Sequence, residues 1–126
     1  MTKARILIVE DEPNIVESLS FILRRAGFEV DTVTDGAEAL DRVRRQSFSA
    51  LVLDIMLPGM NGFDVLRAIR ADSALTALPV VVLTAKGQAN DRRMAEAIGA
   101  SAFITKPFSN SEVVERVSRL AGGALK

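Results

Sequence analysis

The chain has no cysteine and no histidine. The first absence excludes disulfides and thiolate sites for zinc or iron–sulfur clusters. The second excludes imidazole metal ligands, a histidine general base and any Ser-His-Asp triad. A metal bound here takes oxygen ligands, which favours magnesium, manganese or calcium. Net charge is absent too, since 16 Lys and Arg balance 16 Asp and Glu. That argues against wholesale nucleic-acid binding, which needs a strong positive field, but leaves room for a local patch. No apolar run approaches membrane-spanning length. The lead-in Met1-Thr2-Lys3-Ala4-Arg5 is too short for a signal peptide. The expectation is a cytoplasmic protein without membrane contact.

What is present reads as one domain. A chain of 126 residues, 48% of them hydrophobic and 25% charged, has the size and composition of a globular unit. Such a unit buries roughly two-thirds of its unfolded surface. Residues 1–121 are expected to form it, with 122–126, which include Gly122 and Gly123, as a flexible tail.

Ile6-Leu7-Ile8-Val9 is a solid apolar run, as in a strand buried on both faces, and it ends in Glu10-Asp11-Glu12. Pro13 suits the first turn of a helix. Ile15, Leu19 and Ile22, with Val16 and Leu23, form its apolar stripe, and Gly27 stops it. Phe28 to Val33 alternates apolar residues with Glu29 and Asp31, which marks an edge strand. The next helix begins at Thr34-Asp35-Gly36, with Ala37, Leu40 and Val43 expected inward and Arg42, Arg44 and Arg45 outward. Ala50 to Leu53 is a third apolar run and ends abruptly in Asp54. Pro58 and Gly59 form a loop, and a helix from Gly62 to Ala71 carries Phe63, Leu66 and Ile69 on one side. Pro79 to Leu83 is a fourth strand ending in Thr84-Ala85. Gln88 to Ile98 reads as a helix with a thin apolar face of Met94, Ala95 and Ile98. Ser101 to Thr105 is a fifth strand ending in Lys106-Pro107. Ser109 and Glu112 have capping-box spacing ahead of a last helix with Val113, Val117 and Leu120 inward.

Strand and helix thus alternate five times, which predicts an α/β fold with a parallel sheet covered on both faces. In such sheets the site lies beyond the carboxyl ends of the strands. Glu10, Asp11, Asp54, Thr84 and Lys106 all fall there. Each has an ordinary alternative. An acidic helix start would explain Glu10 to Glu12, a helix cap Asp54, a plain strand end Thr84, and surface charge Lys106. Their joint placement at four separate strand ends points instead to one site. Acids gathered in one pocket repel without counter-charge, so Lys106 and a divalent hard cation are expected there. A carboxylate beside such a cation can attack phosphorus and form an acyl phosphate. Lys106 would neutralise the phosphoryl oxygens, Thr84 would donate a hydrogen bond to one of them, and small Ala85 would leave room.

The stretches Ile-Leu-Ile-Val-Glu10-Asp11-Glu-Pro, Leu-Val-Leu-Asp54-Ile-Met-Leu-Pro58-Gly-Met-Asn-Gly62, Val-Val-Leu-Thr84-Ala85, Gly99-Ala-Ser-Ala-Phe103 and Ile-Thr-Lys106-Pro107-Phe108 carry a family resemblance. The chain resembles the response-regulator receiver domains of two-component signalling over nearly its whole length. The resemblance implies a flavodoxin-like (βα)5 doubly wound sheet of strand order 2-1-3-4-5. It implies that Asp54 is the phosphoacceptor and that Thr84 and Lys106 bind the phosphoryl group. It implies magnesium, with manganese as substitute, held by Asp11, Asp54, the Met56 backbone carbonyl and, through a water, Glu10. It implies a cis Lys106–Pro107 bond and a switch formed by Thr84 and Phe103. Many family members have tyrosine at the latter position, and Phe103 packs without its hydroxyl.

The implied phosphoryl donor is a sensor histidine kinase or a histidine phosphotransfer protein. An output protein, or a second copy in a phosphorylation-dependent homodimer, would meet the face of the fourth helix, fifth strand and fifth helix. That face carries Lys86, Gln88, Arg92, Arg93 and Asn110. No direct contact with nucleic acid is expected of the domain itself. Apolar Met56, with Lys86, is expected beside the path of attacking water. Two other readings stay open. The chain can be the receiver of a longer regulator with a DNA-binding or enzymatic output domain. An Asp-nucleophile phosphohydrolase is the enzyme alternative, but it calls for a second acid where Met56 stands. A phosphorylation-independent interaction module would not need so complete a pocket.

Overall fold

The computed structural model describes residues 4–85 and 89–121. Strands and helices alternate as β1 (Arg5–Val9), α1 (Pro13–Arg25), β2 (Glu29–Val33), α2 (Gly36–Arg45), β3 (Ala50–Asp54), α3 (Gly62–Ala71), β4 (Val80–Ala85), α4 (Ala89–Ile98), β5 (Ala102–Lys106) and α5 (Asn110–Ala121). The strands form one parallel sheet in the order β2-β1-β3-β4-β5, as expected.

The sheet is covered on both faces because side chains alternate along each strand. Ile6, Ile8, Val52, Val81, Leu83 and Ile104 pack on one side against α1 and α5 residues such as Leu19, Leu23, Val113 and Val117. Leu7, Val9, Leu51, Leu53, Val80 and Val82 pack on the other against Leu40, Val43, Leu66 and Ile69. Each fully buried aliphatic side chain contributes about 1.5–3 kcal/mol. This double burial explains why the central strands read as unbroken apolar runs.

Local signals set most helix ends. Pro13 opens α1, and Gly27, at φ 104°, follows its end. The Asp35 side chain accepts from the Glu38 N–H at 2.8 Å, and Asn61 accepts from Asp64 at 3.0 Å. The Glu112 N–H donates to Ser109 Oγ at 3.1 Å, so Ser109 caps α5. Three expectations change. In α2, Ala37 is exposed and Ala39 is buried, because a helix that starts at Gly36 turns 36, 39, 40 and 43 inward. In α4, Met94 is 43% exposed and only Ala95 is buried, so the contact face is narrower than read. Arg42 is not a free outward charge, since it reaches Asp31 at 2.8 Å. Arg5 pairs with Glu29 and Asp31 on the same edge strand. These half-exposed pairs add little stability, but they guard an open sheet edge against strand pairing.

Register positions the site. Val9 lies beside Leu53, so Glu10 and Asp54 leave neighbouring strands at the same level. Ala85 lies beside Lys106 and Thr84 beside Thr105.

Candidate functional site

The acids and the lysine named from the sequence converge at the carboxyl ends of β1, β3 and β5. Asp54 is the last residue of β3 and is 3% exposed, while Glu10, just after β1, is 1% exposed. Asp11 is exposed. Each of these three residues presents a carboxylate oxygen, and those oxygens lie within 4.8 Å of one another. Lys106 Nζ sits 3.1 Å from Glu10 Oε1 and 3.3 Å from Asp54 Oδ2. The Glu12 N–H donates to Glu10 Oε2 at 3.1 Å, and the Met56 N–H donates to Asp54 Oδ1 at 3.2 Å. The Lys106–Pro107 peptide bond is cis.

The charges are unbalanced. Among the described residues, three carboxylates face one ammonium, and two of the three are buried. Burial pushes Glu10 up to about 7, and its hydrogen bond to Asp54 and that group's charge push the same way. The Glu12 N–H and Lys106 oppose this. For Lys106, burial pulls the ammonium down, but Asp54 and Glu10 outweigh it and the value ends raised. The donor set is carboxylate oxygen only, with residual negative charge, and this fits a hard divalent cation.

These shifts predict a pH dependence. The Glu10 carboxyl titrates near 4.5 when unperturbed and near 7 in the fold. Between those values the native state binds more protons, so metal-free stability falls as pH rises, by on the order of 3 kcal/mol. Lys106 acts only in alkali, because its raised value keeps its contribution until pH passes its folded value. Urea denaturation across this range should show the decline, and Glu10→Gln should flatten it. An unchanged slope in that variant would remove Glu10 as the cause.

Thr84 is 2% exposed, and its hydroxyl donates to Asp91 Oδ2 on α4 at 3.3 Å. Phe103 is half-buried and packs against the core, with the Arg92 guanidinium 5.5 Å from its ring centroid. Lys86 and Gln88 lie outside the described residues. Sequence reasoning did not single out Asp91, because a carboxylate in a helix's first turn has an ordinary role against the dipole. It also took Gly62 only as part of a turn. A Cβ on Gly62 would stand 2.5 Å from the Asp54 carbonyl oxygen, so this glycine lets α3 start directly behind the acid.

The profile of the family described as response regulator receiver domain matches residues 6–118. The DNA-binding response regulator MtrA of Mycolicibacterium smegmatis is 44% identical over 115 residues, covering 91% of this chain and 49% of that protein. The sensory transduction protein RegX3 of Mycobacterium bovis is 41% identical over 112 residues, covering 89% of this chain and 48% of that protein. The chain therefore spans about half the length of the curated relatives it matches. Among solved structures, the receiver domain of a Pseudomonas aeruginosa sensor histidine kinase, with magnesium in its active-site cleft, superposes with TM-score 0.88 at 31% identity. That match covers 97% of this chain and 100% of the other. The chemotaxis response regulator CheY4 of Vibrio cholerae gives TM-score 0.87 at 31% identity, covering 94% and 99%. Sheet order, site placement and relatives converge, and the chain belongs to the response regulator receiver domains of two-component signalling.

Proposed function

We propose that Asp54 is the phosphoacceptor of this receiver domain. The observation that carries the reading is one buried carboxylate at a strand end, flanked by two further acids and bridged to Glu10 by Lys106. An Asp54 oxygen attacks phosphorus of a phosphohistidine, the P–N bond breaks, and the imidazole nitrogen leaves with the electron pair. Lys106 Nζ, already 3.3 Å from Asp54, balances charge on the transferred group. The Thr84 hydroxyl is placed to donate to a phosphoryl oxygen once it leaves Asp91. Magnesium, or manganese in its place, would be held by Asp11, Asp54, the Met56 carbonyl and Glu10 through a water, and would supply further charge neutralisation.

The donor is a sensor histidine kinase or a histidine phosphotransfer protein. The receiver unit takes in the described residues up to Ala121, and the tail expected over 122–126 lies outside the described residues. Output runs through the face of α4, β5 and α5, where Arg92, Arg93 and Asn110 are exposed. Its partner is an effector protein or a second phosphorylated copy. The relative MtrA is a DNA-binding response regulator of which this chain matches 49%. For this domain itself the reading is no direct contact with nucleic acid or membrane. No helix among the described residues is long and apolar enough to cross a membrane. The site of action proposed for this receiver domain is the cytoplasm.

Met56 is 72% exposed beside Asp54, and its apolar side chain cannot orient attacking water. A long-lived phosphoryl state is therefore expected, with a half-life well beyond seconds in magnesium. Following its decay by mass spectrometry checks this. The same residue argues against the phosphohydrolase, which calls for an acid there.

Acetyl phosphate and magnesium should label the wild type stoichiometrically, and Asp54→Asn should not label. Steady turnover of a small phosphate ester without accumulation of label would favour the hydrolase instead.

A further inference from the structure

Thr84 has one hydroxyl proton, and α4 holds it. A hydroxyl donates a single hydrogen bond. Thr84 is buried, and its Oγ donates to Asp91 Oδ2, seven residues along and in the first turn of α4. While that bond stands, the same proton cannot serve a phosphoryl oxygen on Asp54. We infer that Asp91 is a positioning residue, a latch that commits the Thr84 hydroxyl to α4 and so sets the affinity of the site for a phosphoryl group. The inference rests on the reading of Asp54 as acceptor.

The way α4 is attached supports a latch at this end. Only Ala95 of the helix is buried, so packing holds it weakly. Its C-terminal end is pinned by Arg70, which donates to the carbonyls of Gly99 at 2.8 Å, Leu78 at 2.7 Å and Thr76 at 3.2 Å. Arg70 also reaches Ser101 Oγ at 3.3 Å. Nothing comparable among the described residues ties the N-terminal turn. There the Thr84–Asp91 bond and the adjacent Arg92–Phe103 stacking are the connections to β4 and β5. Loss of the latch frees the N-terminal end while the Arg70 end stays fixed, so α4 pivots rather than detaches. Demand for Thr84 at the site and movement of α4 thus become one event.

A hydrogen bond to a carboxylate is worth about tenfold or more, and at 3.3 Å to a half-buried acceptor the lower end applies, roughly a 10-fold shift in the competing equilibrium. Magnesium with beryllofluoride, a phosphoryl mimic, should therefore bind Asp91→Ala about that much more tightly than wild type. Asp91→Asn keeps an acceptor oxygen and should fall between. Without any ligand, the Thr84 γ-methyl resonance and the amides of 89–98 in Asp91→Ala should move toward their positions in the ligand-bound wild type. Thr84→Val should move those amides likewise, with no further change on adding Asp91→Ala. Unchanged or weaker beryllofluoride binding, or an unmoved Thr84 methyl, overturns the latch. If Asp91→Ala fails to fold, Asp91→Asn decides by the same criteria. Acetyl phosphate labelling of wild type and Asp54→Asn separates the two failures. Normal labelling with no tightening sinks the latch alone, and no labelling sinks the acceptor reading with it.

Discussion

Lys106→Met should destabilise the metal-free domain by about 3 kcal/mol at about pH 8. Methionine is apolar and of similar length, so the variant removes charge with little change of shape. It leaves Glu10 and Asp54, 1% and 3% exposed, facing each other without a cation among the described residues. Removing one partner of a buried ion pair costs more than the pair contributes, because a charge stays buried and unpaired. Here two do. The fold would respond by holding a proton, so Glu10, already near 7, would rise further. The loss should therefore shrink at about pH 5, where Glu10 is protonated in either protein. Adding Glu10→Gln should restore part of the stability at high pH. Urea denaturation at both pH values checks this, and an equal loss at both would mean that Lys106 acts by packing.

Gly62→Ala should cost about 3 kcal/mol, the upper end of the overpacking range, and should reduce phosphoryl labelling at least about tenfold. The added Cβ would meet the Asp54 carbonyl oxygen at 2.5 Å and Ile55 Cα at 2.6 Å. Both are backbone atoms, so no side chain can swing aside. The Gly62 N–H also donates to the Ile55 carbonyl at 2.9 Å, which fixes the separation. Either the end of β3 or the start of α3 must move, and Asp54 moves with it relative to Lys106. Gly59 makes the control. It has φ 68° but nothing within 4 Å of its Cβ position. Gly59→Ala should cost only about 1 kcal/mol of backbone strain and leave labelling intact. Equal labelling in the two variants would separate the glycine from the site.

The architecture was readable because its central strands are buried on both faces and appear as apolar runs, as Leu51 to Leu53 do. The acids at their ends could be placed together once the strands were parallel, since a parallel sheet gathers all carboxyl ends on one side. What could not be read depends on phase or on contact across elements. The phase of α2 turns on its start at Gly36, and one residue of error exchanges Ala37 for Ala39. The contact of Glu10 with Lys106, and a burial as deep as that of Asp54, were not anticipated. That follows from register between β1 and β3, which composition does not encode. Asp91 meets Thr84 only because α4 folds back over β4, and nothing in its local sequence marks it.

One carboxylate, held by its strand and paired with Lys106, is the proposed acceptor of the phosphoryl group. Wild-type protein would be incubated with acetyl phosphate and magnesium, reduced with borohydride to trap the acyl phosphate, and mapped by peptide mass spectrometry. The modified residue should be Asp54 alone, and chelation of magnesium should abolish it. Modification at Glu10 or Asp11, or labelling that survives chelation or Asp54→Asn, would contradict the account.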